Sequence, residues 1–354
     1  DAFRTADRRH ALVDPRRPRP AAPAAIPAGT AVVEYVVLPR KTVMFSATRE
    51  GIDVATADIT RAELAARIAA FDENVRRRAP AAAIDGDAEA LFALLVAPLR
   101  ARLAGLRELV IVPDRELHSL PFAALFDAKT KRFLIEDVTI RFALTAFVAD
   151  SSWSRSLTPS LVISDPAAPG WPRLDGSRDE AARIAALHGA AMLSGEDATR
   201  VRFAAAAERS ALIHFSGHAD SDAQHSYGAL LLAGAGDSGV FGTTDITRLA
   251  LAAHPLVVLA ACGTFRGDTA HVSGMPSLAR AFLIAGARGV VGTMWEIDDD
   301  VAGPLFLRFH ESLRAGASPA EALREAQLAM LHSADPRLNA PATWAPVALL
   351  SSAS

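Results

Sequence analysis

The chain has 354 residues, of which 22% are charged and 51% are hydrophobic. This is the ordinary balance of a soluble protein, and the length suffices for one large domain or two of medium size. A formal net charge of −3 gives no electrostatic reason to expect nucleic acid as a partner. No apolar run approaches the roughly 18 residues that a membrane span needs, so we expect no membrane contact. With one cysteine and a polar, Arg-rich start in place of a signal peptide, we expect a cytoplasmic protein.

The first half of the chain begins with a tail and continues with short strands and helices. Residues 1–29 mix arginine, proline and alanine, which is typical of a disordered tail or linker. The β-rich runs at 30–38 and 42–48 predict a hairpin. The periodicity then predicts helices over 61–78 and 88–103 and strands over 108–112 and within 132–143. We interpret residues 30–150 as a supporting half-domain because this half contains no cysteine and no Gly-rich phosphate loop.

The second half, residues 151–354, alternates strands and helices in the pattern of a parallel α/β sheet. Ser177 and Glu180 have the spacing of a capping box, which predicts that a helix begins there and runs to residue 187. A Gly-rich stretch at 228–242 is expected to border a cleft. The remaining predicted elements are helices over 198–207, 276–287, 304–315 and 318–331 and strands over 161–164, 211–215, 256–260, 289–295 and 344–350.

Two of these strands end in turns that contain reactive side chains. The strand at 211–215 leads into Ser-Gly-His-Ala-Asp, with His218 at its centre, and the strand at 256–260 leads into Ala-Cys-Gly-Thr, with Cys262. Groups just beyond the carboxyl ends of parallel strands meet in one crevice. His218 and Cys262 are therefore predicted to be neighbours, although they are far apart in sequence.

Around these residues the chain resembles the CHAT peptidases, which are caspase-like cysteine proteases of clan CD related to separase. Caspases likewise place the cysteine about 50 residues after the histidine. An ordered set of matches is more specific than any single motif. Besides the two turns, stretches that match the family occur in order at 111–125, 214–218, 277–287, 290–298 and 318–327, within a resemblance that covers roughly residue 31 to the C-terminus.

The resemblance implies a caspase-like α/β fold with a mainly parallel sheet flanked by helices. Residues 30–150 would form a pseudo-protease half-domain, and residues 151–354 the catalytic domain. The family usually has glycine directly after the catalytic histidine, whereas this chain has Ala219.

The expected activity is that of a cysteine endopeptidase. A free cysteine with a pKa of about 8.5 is only a few per cent ionised at neutral pH, and a thiolate is the nucleophile. His218 would take the proton from Cys262 and later donate it to the leaving amine. Backbone N–H groups of Ala219 and Cys262 are predicted to bind the oxyanion. We expect no cofactor and no metal. The alternative is a metal site of His214 and His218 with Asp220 and Asp222, but a histidine pair at i and i+4 forms a metal-binding face only on a helix, and the pattern here indicates strand and turn.

Acidic residues after the strand at 289–295 are candidates for substrate binding, namely Glu296, Asp298 and Asp299. Separase, which is similar in this stretch, uses an acidic residue here to bind a basic P1 side chain. Asp299 is the best positional match, so the resemblance implies a preference for Arg or Lys at P1. Alternatively these acids only begin the next helix, because acidic side chains favour helix N-termini, and the two roles can hold for different members of the triplet 298–300.

The partner implied by the resemblance is a specific protein substrate, in a regulated bacterial defence or signalling pathway. A regulatory partner or an upstream repeat domain outside this chain is also implied. The rival interpretation is a catalytically inactive caspase-like module used for protein docking, for which Ala219 is the one hint. An α/β hydrolase is disfavoured because its G-x-S-x-G elbow is missing from the sequence.

Overall fold

The computed structural model describes residues 26–146, 156–220, 228–234, 236–261, 263–265 and 277–352. The strands within these residues are β1 (Thr30–Val37), β2 (Thr42–Thr48), β3 (Gly51–Ala57), β4 (Glu108–Val112), β5 (Phe126–Asp127), β6 (Arg132–Phe133), β7 (Thr139–Ala143), β8 (Ser160–Pro166), β9 (Ala191–Gly195), β10 (Leu212–Ser216), β11 (Ala219–Asp220), β12 (Ala229–Leu231), β13 (Val240–Gly242), β14 (Leu256–Ala260), β15 (Gly289–Thr293) and β16 (Val347–Ser351).

Helices cover much of the chain between these strands. The α-helices are α1 (Arg61–Arg76), α2 (Ala81–Leu95), α3 (Arg100–Leu103), α4 (Leu134–Asp137), α5 (Asp175–His188), α6 (Arg200–Ala207), α7 (Thr243–Thr247), α8 (Leu278–Ile284), α9 (Asp299–Arg314), α10 (Pro319–Leu331), α11 (Pro336–Asn339) and α12 (Pro341–Trp344). The 3-10 helices are Ala97–Leu99, Arg115–Ser119, Phe122–Ala124 and Gly236–Gly239.

One sheet of eleven strands organises the fold, in the order β3-β2-β1-β4-β7-β16-β15-β14-β10-β8-β9. Its neighbours are parallel except where β1 pairs with β2, β2 with β3 and β15 with β16. Helices pack on the sheet, with α5 against β8 and α9 against α5. This is the mainly parallel, helix-flanked sheet that the sequence predicted. A large core results, because central strands such as β14 are apolar along almost their whole length.

The sheet joins the two halves of the chain without interruption. The C-terminal strand, predicted over 344–350, is β16, and it lies between β7 of the first half and β15 of the second. The predicted division at residue 150 stays a prediction, since residues 147–155 lie outside the described part. The predicted tail, residues 1–29, is described only from residue 26 onward.

The N-terminal strands form the predicted hairpin and one further strand. β3 was missed, and it adds an antiparallel edge in which Ile52 and Val54 are exposed. The helix predicted over 88–103 begins earlier and breaks near Pro98, where the chain continues as the 3-10 helix Ala97–Leu99. Proline has no N–H for the helical ladder, which explains the break.

Two predicted helix starts were wrong. Helix α5 begins at Asp175 with Leu174 as N-cap, and no side chain caps it. Ser177 and Glu180 are buried against other elements instead of forming a capping box. Helix α9 begins at Asp299, and Pro304 lies inside it. The acidic residues at the start of α9 favour this earlier beginning because they complement the helix dipole.

The Gly-rich stretch contributes a small antiparallel sheet of three strands, β11-β12-β13, which follows directly from the His218 turn. Residues 221–227 of the insertion lie outside the described part. Across the described ranges, none of the helices combines the length and apolarity that crossing a bilayer requires.

Candidate active site

The two predicted turns leave the sheet at the same edge. β10 and β14 are adjacent and parallel, with Ser216 opposite Ala260 in the register. The N–H of Gly217 donates to the carbonyl of Ala260 at 3.4 Å, so the pairing continues into the turn. His218 lies two positions beyond Ser216, as Cys262 does beyond Ala260. Cys262 itself is outside the described residues.

The imidazole of His218 has a defined orientation. Its Nε2 lies 2.8 Å from the carbonyl oxygen of Pro172. A carbonyl only accepts hydrogen bonds, so Nε2 carries the proton and Nδ1 of the neutral ring keeps its lone pair. The ring also packs against Trp171, with the two ring centroids 4.9 Å apart. These contacts leave Nδ1 as the nitrogen that is able to accept a proton.

The loop that orients His218 is fixed by a buried carboxylate. Asp165, near the end of β8, is paired with Arg173 and Arg178 at 2.7 Å each. The N–H of Leu174 donates to Asp165 Oδ1 at 3.2 Å. These bonds bracket the segment that includes Pro172, and so they hold its carbonyl in place beside the imidazole.

The turn on the other strand is held by Thr293, the last residue of β15. Its hydroxyl donates to the carbonyl of Ala261 at 2.7 Å and accepts from the N–H of Gly263 at 3.0 Å. The N–H of Thr293 donates to Thr264 Oγ1 at 3.0 Å. Gly263 has φ +60°, a conformation that favours glycine. One buried side chain therefore fixes both residues that flank Cys262.

Ala219 occupies the position where the resembling family has glycine. The N–H of Leu231 donates to the carbonyl of His218 at 3.0 Å, and Ala219 lies opposite Leu230. In an antiparallel ladder, the pair after a hydrogen-bonded one is not hydrogen-bonded, so the N–H of Ala219 points away from β12. Ala219 is not among the described non-glycine residues with positive φ. Its side chain is thus compatible with this backbone, and the oxyanion role stays a prediction.

A pocket of about 130 Å³ lies beside His218 and Ala261. Its lining is mixed. The polar side chains include Ser177, Glu180 and Asp299, and the apolar ones include Ile297, Ala302 and Phe306.

Asp299 is held in this pocket by Ser177. One carboxylate oxygen accepts the N–H of Ser177 at 3.1 Å, and the other accepts its hydroxyl at 2.8 Å. The close approach of the Asp299 carboxylate to the start of α5 depends on Gly176, since a Cβ there would lie 2.6 Å from Asp299 Oδ2. Asp299 is also the first residue of α9, as the helix-start alternative expects. Its role in substrate binding stays a prediction. A fixed, half-buried carboxylate in the lining of a partly apolar pocket suits a cationic side chain.

The structure does not bring the other two candidate acids into this pocket. Glu296 and Asp298 are exposed, and they line a separate depression beside Arg76, Arg77 and Arg78. Asp298 pairs with Arg78 at 3.1 Å.

Behind the pocket lies a row of histidines that begins with His214. Its Nε2 lies 3.0 Å from Glu180 Oε1, and its Nδ1 lies 3.1 Å from His310 Nε2. His310 Nδ1 lies 3.0 Å from Nε2 of His188. Both His214 and His310 are fully buried. His214 is therefore a packed residue of the strand, as predicted, but with polar neighbours on both sides.

The metal site considered at this edge does not form from the described residues, and its fourth residue, Asp222, lies outside them. His214 faces Glu180 and His310, whereas His218 faces Pro172. Within the described ranges, no group of three or more His, Cys, Asp or Glu residues could hold a metal ion.

Four functional candidates were missed from the sequence. Thr293 ends a predicted parallel strand, and the rule that identified His218 and Cys262 could have found it. Ser177 and Glu180 have the S-x-x-E spacing of a capping box, so the sequence predicts a helix cap for them and not a place in a pocket. No sequence signal marks Pro172, because its contribution is a backbone carbonyl.

Comparison with known proteins supports the fold seen here. The family model of the CHAT domain matches residues 85–352. Tetratricopeptide repeat protein 28 of Mus musculus is 26% identical over 331 residues, covering 74% of this chain and 13% of that protein. The Homo sapiens protein of the same name is 24% identical over 325 residues, with the same coverage. The chain thus spans 13% of the length of these curated relatives.

Two solved structures are also similar. Separase in the separase–securin complex of Saccharomyces cerevisiae has a TM-score of 0.60 at 10% identity, over 91% of this chain and 30% of that one. Porphyromonas gingivalis RgpB, in the complex of its pro- and mature domains, has a TM-score of 0.47 at 13% identity, over 79% and 70% of the two chains. The likeness to separase shows that the fold is shared.

Proposed function

The chain belongs to the CHAT-domain family, and from that premise we propose that it is a cysteine endopeptidase with His218 and Cys262 as its catalytic dyad. The observation that carries the proposal is the register of β10 and β14, which starts both turns at one sheet edge. The orientation of His218 adds to it, since Nδ1 is the nitrogen able to accept a proton.

In the proposed mechanism, His218 Nδ1 takes the proton from the Cys262 thiol. The Pro172 carbonyl accepts from Nε2–H and stabilises the imidazolium that forms. The thiolate attacks the peptide carbonyl, and N–H groups of Ala219 and Cys262 bind the oxyanion. His218 then donates its proton to the leaving amine, and water hydrolyses the acyl-enzyme.

The substrate class we propose is a protein with Arg or Lys at P1. Support comes from Asp299, which is fixed by Ser177 in the pocket beside His218. Profiling the chain against a peptide library tests the function directly. Discrete cleavage after basic residues is the expected result, and equal cutting after apolar residues would count against the acidic pocket.

Regulation by another protein or by a repeat domain belongs to the same proposal. The curated relatives are named for tetratricopeptide repeats, and the similar separase was solved with securin. Both support a partner outside this chain. The bacterial defence or signalling role stays a prediction.

Ala219 favours a second candidate function, an inactive caspase-like docking module, because it replaces the glycine of the family. The two candidate functions differ in whether the Cys262 thiol must be ionised. A docking module has no need of an ionised cysteine, whereas the peptidase depends on one.

Alkylation by iodoacetamide separates these candidates, and Cys262 is the chain's one cysteine, so the labelled site is unambiguous. We expect the alkylation rate to rise with a midpoint below about pH 7.5, since His-paired thiols ionise below the usual value near 8.5. In a His218→Ala variant the midpoint should return to about 8.5 or higher. A midpoint near 8.5 in both proteins would support the docking module.

Asp299→Asn is expected to lower the preference for Arg over Leu at P1 by at least about tenfold. A hydrogen bond to a charged group contributes about 1.5–3 kcal/mol. The neutral amide of asparagine would lose the charge-assisted share of this binding energy. The amide can still bond both groups of Ser177 if its oxygen accepts the N–H. The measurement is kcat/KM for paired peptides that differ only at P1.

The matched control is Asp300→Asn. Asp300 is exposed, pairs with Arg337 and does not line the pocket. An equal loss of preference in both variants would mean that general negative charge, and not the pocket carboxylate, selects the substrate.

A further inference from the structure

The pocket contains a second carboxylate that the proposed mechanism does not use. Glu180 lines the pocket and is 5% exposed. Its Oε1 lies 3.0 Å from His214 Nε2, outside hydrogen-bond alignment, and neither atom has a hydrogen-bond partner among the described residues. A buried carboxylate oxygen without a hydrogen bond is costly. Because Glu180 also lines the pocket, we infer that a bound ligand would supply the missing partner.

Three imidazoles connect this carboxylate with the protein surface. From Glu180 the row runs through His214 and His310 to His188, with neighbouring atoms 3.0–3.1 Å apart. His188 is half-buried at the C-terminal end of α5. Both links between imidazoles join one ring nitrogen to the next, so the three rings are able to pass a proton in either direction. The carboxyl group of Glu180 must first turn into line with His214 Nε2.

The charged groups around Glu180 come from each element packed against it. Burial raises the pKa of the Glu180 carboxyl, Asp299 on α9 also raises it, and His214 on β10 lowers it. Asp165 on β8 is already paired with two arginines. With the pocket empty, Glu180 therefore keeps its proton to a higher pH than an ordinary glutamate.

Two histidines of the row, His310 and His188, favour the neutral form. Burial lowers the pKa of His310 well below its usual range, and the neighbouring histidines lower it further. Burial also lowers the pKa of His188 to about 4, with Arg314 and His214 adding to the effect. A neutral imidazole has one N–H and one lone pair, which is the state required to relay a proton without storing charge.

We propose that Glu180 is a second specificity determinant for a cationic side chain in this pocket, and that it loses its proton along the row His214–His310–His188 when the cation enters. The identification of the cation as a P1 side chain rests on the proposed function. Asp299 and Glu180 would then neutralise the cation together. Because the cation would fill the pocket, the proton of Glu180 would leave through the histidine row.

The transfer balances atom by atom. After a turn of the carboxyl group into line, its O–H gives the proton to His214 Nε2, and the Nδ1–H of His214 passes to His310 Nε2. The Nδ1–H of His310 passes to His188 Nε2, and Nδ1 of His188 releases one proton to water. At the end Glu180 is a carboxylate, and all three rings are neutral with the proton on Nε2.

Proton release on binding of a small guanidinium compound, agmatine, tests the proposal. Calorimetric titration of the Cys262→Ala chain in buffers of different ionisation enthalpy should show protons released on binding, approaching about one per site toward the acidic end of the pH range over which agmatine affinity rises. Glu180→Gln should release none and bind agmatine at least about tenfold more weakly. Asp300→Asn should behave as the parent chain. Binding without proton release in the parent chain would overturn the proposal.

The histidine row has its own spectroscopic signature. Nitrogen-15 NMR of the labelled imidazoles should show His310 changing from the Nδ1–H to the Nε2–H tautomer when agmatine binds. The same change is expected at His214 and His188. If Glu180 loses its proton while His310 keeps its tautomer, the row is not the path, and that part of the proposal is wrong.

If Glu180→Gln does not fold, the proposal can be tested on the Cys262→Ala chain, which keeps the pocket unchanged. Agmatine affinity should rise with pH through a single titration, by up to about tenfold per pH unit, because only the carboxylate form binds the cation well. A flat affinity between about pH 5 and 9 would overturn the proposal. Because binding is measured without Cys262, an inability of the parent protein to cleave peptides would defeat the proposed function alone.

Discussion

Replacing Cys262 or His218 by alanine is expected to lower kcat/KM for a cleaved peptide by at least about 1,000-fold. Cys262→Ala removes the nucleophile, and His218→Ala removes the base that generates the thiolate. Because the two groups act as one unit, the double variant should be no worse than the more severe single variant. The measurement is kcat/KM on a peptide selected by library profiling.

The matched control for the histidine is His254→Ala. His254 is exposed, and its Nδ1 lies 2.9 Å from the carbonyl of Gly286, away from the pocket. The His254→Ala variant should retain full activity. Unchanged cleavage by Cys262→Ala would show that the activity comes from elsewhere, and the peptidase assignment would be wrong.

The sheet edge could be predicted from the sequence because its signals are local. The runs that became β10 and β14 are short, apolar and followed directly by glycine-containing turns. Strand direction follows from the alternation of strands and helices, and parallel neighbours then place both turns at one edge. The prediction that both turns start at one edge of the sheet thus depends only on patterns within single segments.

The pocket could not be predicted in the same way, because its walls depend on contacts between distant segments. Ser177 and Glu180 match a capping box, and a capping box is decided by bonds within the first turn. In the folded chain, Asp299 at the start of α9 accepts both donors of Ser177. Glu180, on helix α5, faces His214 of strand β10. Tertiary partners thus replaced the local ones that the spacing implied.

The support of His218 illustrates a second limit. Pro172 contributes only its carbonyl, and any residue type could have done so. What places it there is Asp165, whose ion pairs with Arg173 and Arg178 hold the loop. Backbone contributions of this kind carry no side-chain signature in a sequence. They emerge only when the loop and the strand are seen together.

The second large effect is expected at Thr293. Thr293→Val keeps the shape of the side chain but removes the hydroxyl that bonds the carbonyl of Ala261 and the N–H of Gly263. Leaving buried backbone groups without partners costs about 1–3 kcal/mol each. Because these groups flank Cys262, we expect kcat to fall by about 10- to 100-fold while KM changes little. Steady-state kinetics with a P1-matched peptide measures both.

Thr293→Ser is the control, since it keeps the hydroxyl and loses only a methyl group. It should retain most of the activity, whereas the valine variant should also show a shifted pH midpoint for alkylation of Cys262. A purely structural role would lower thermal stability without moving that midpoint. If the serine and valine variants lost activity equally, methyl packing, and not the two hydrogen bonds, would be what Thr293 contributes to the nucleophile turn.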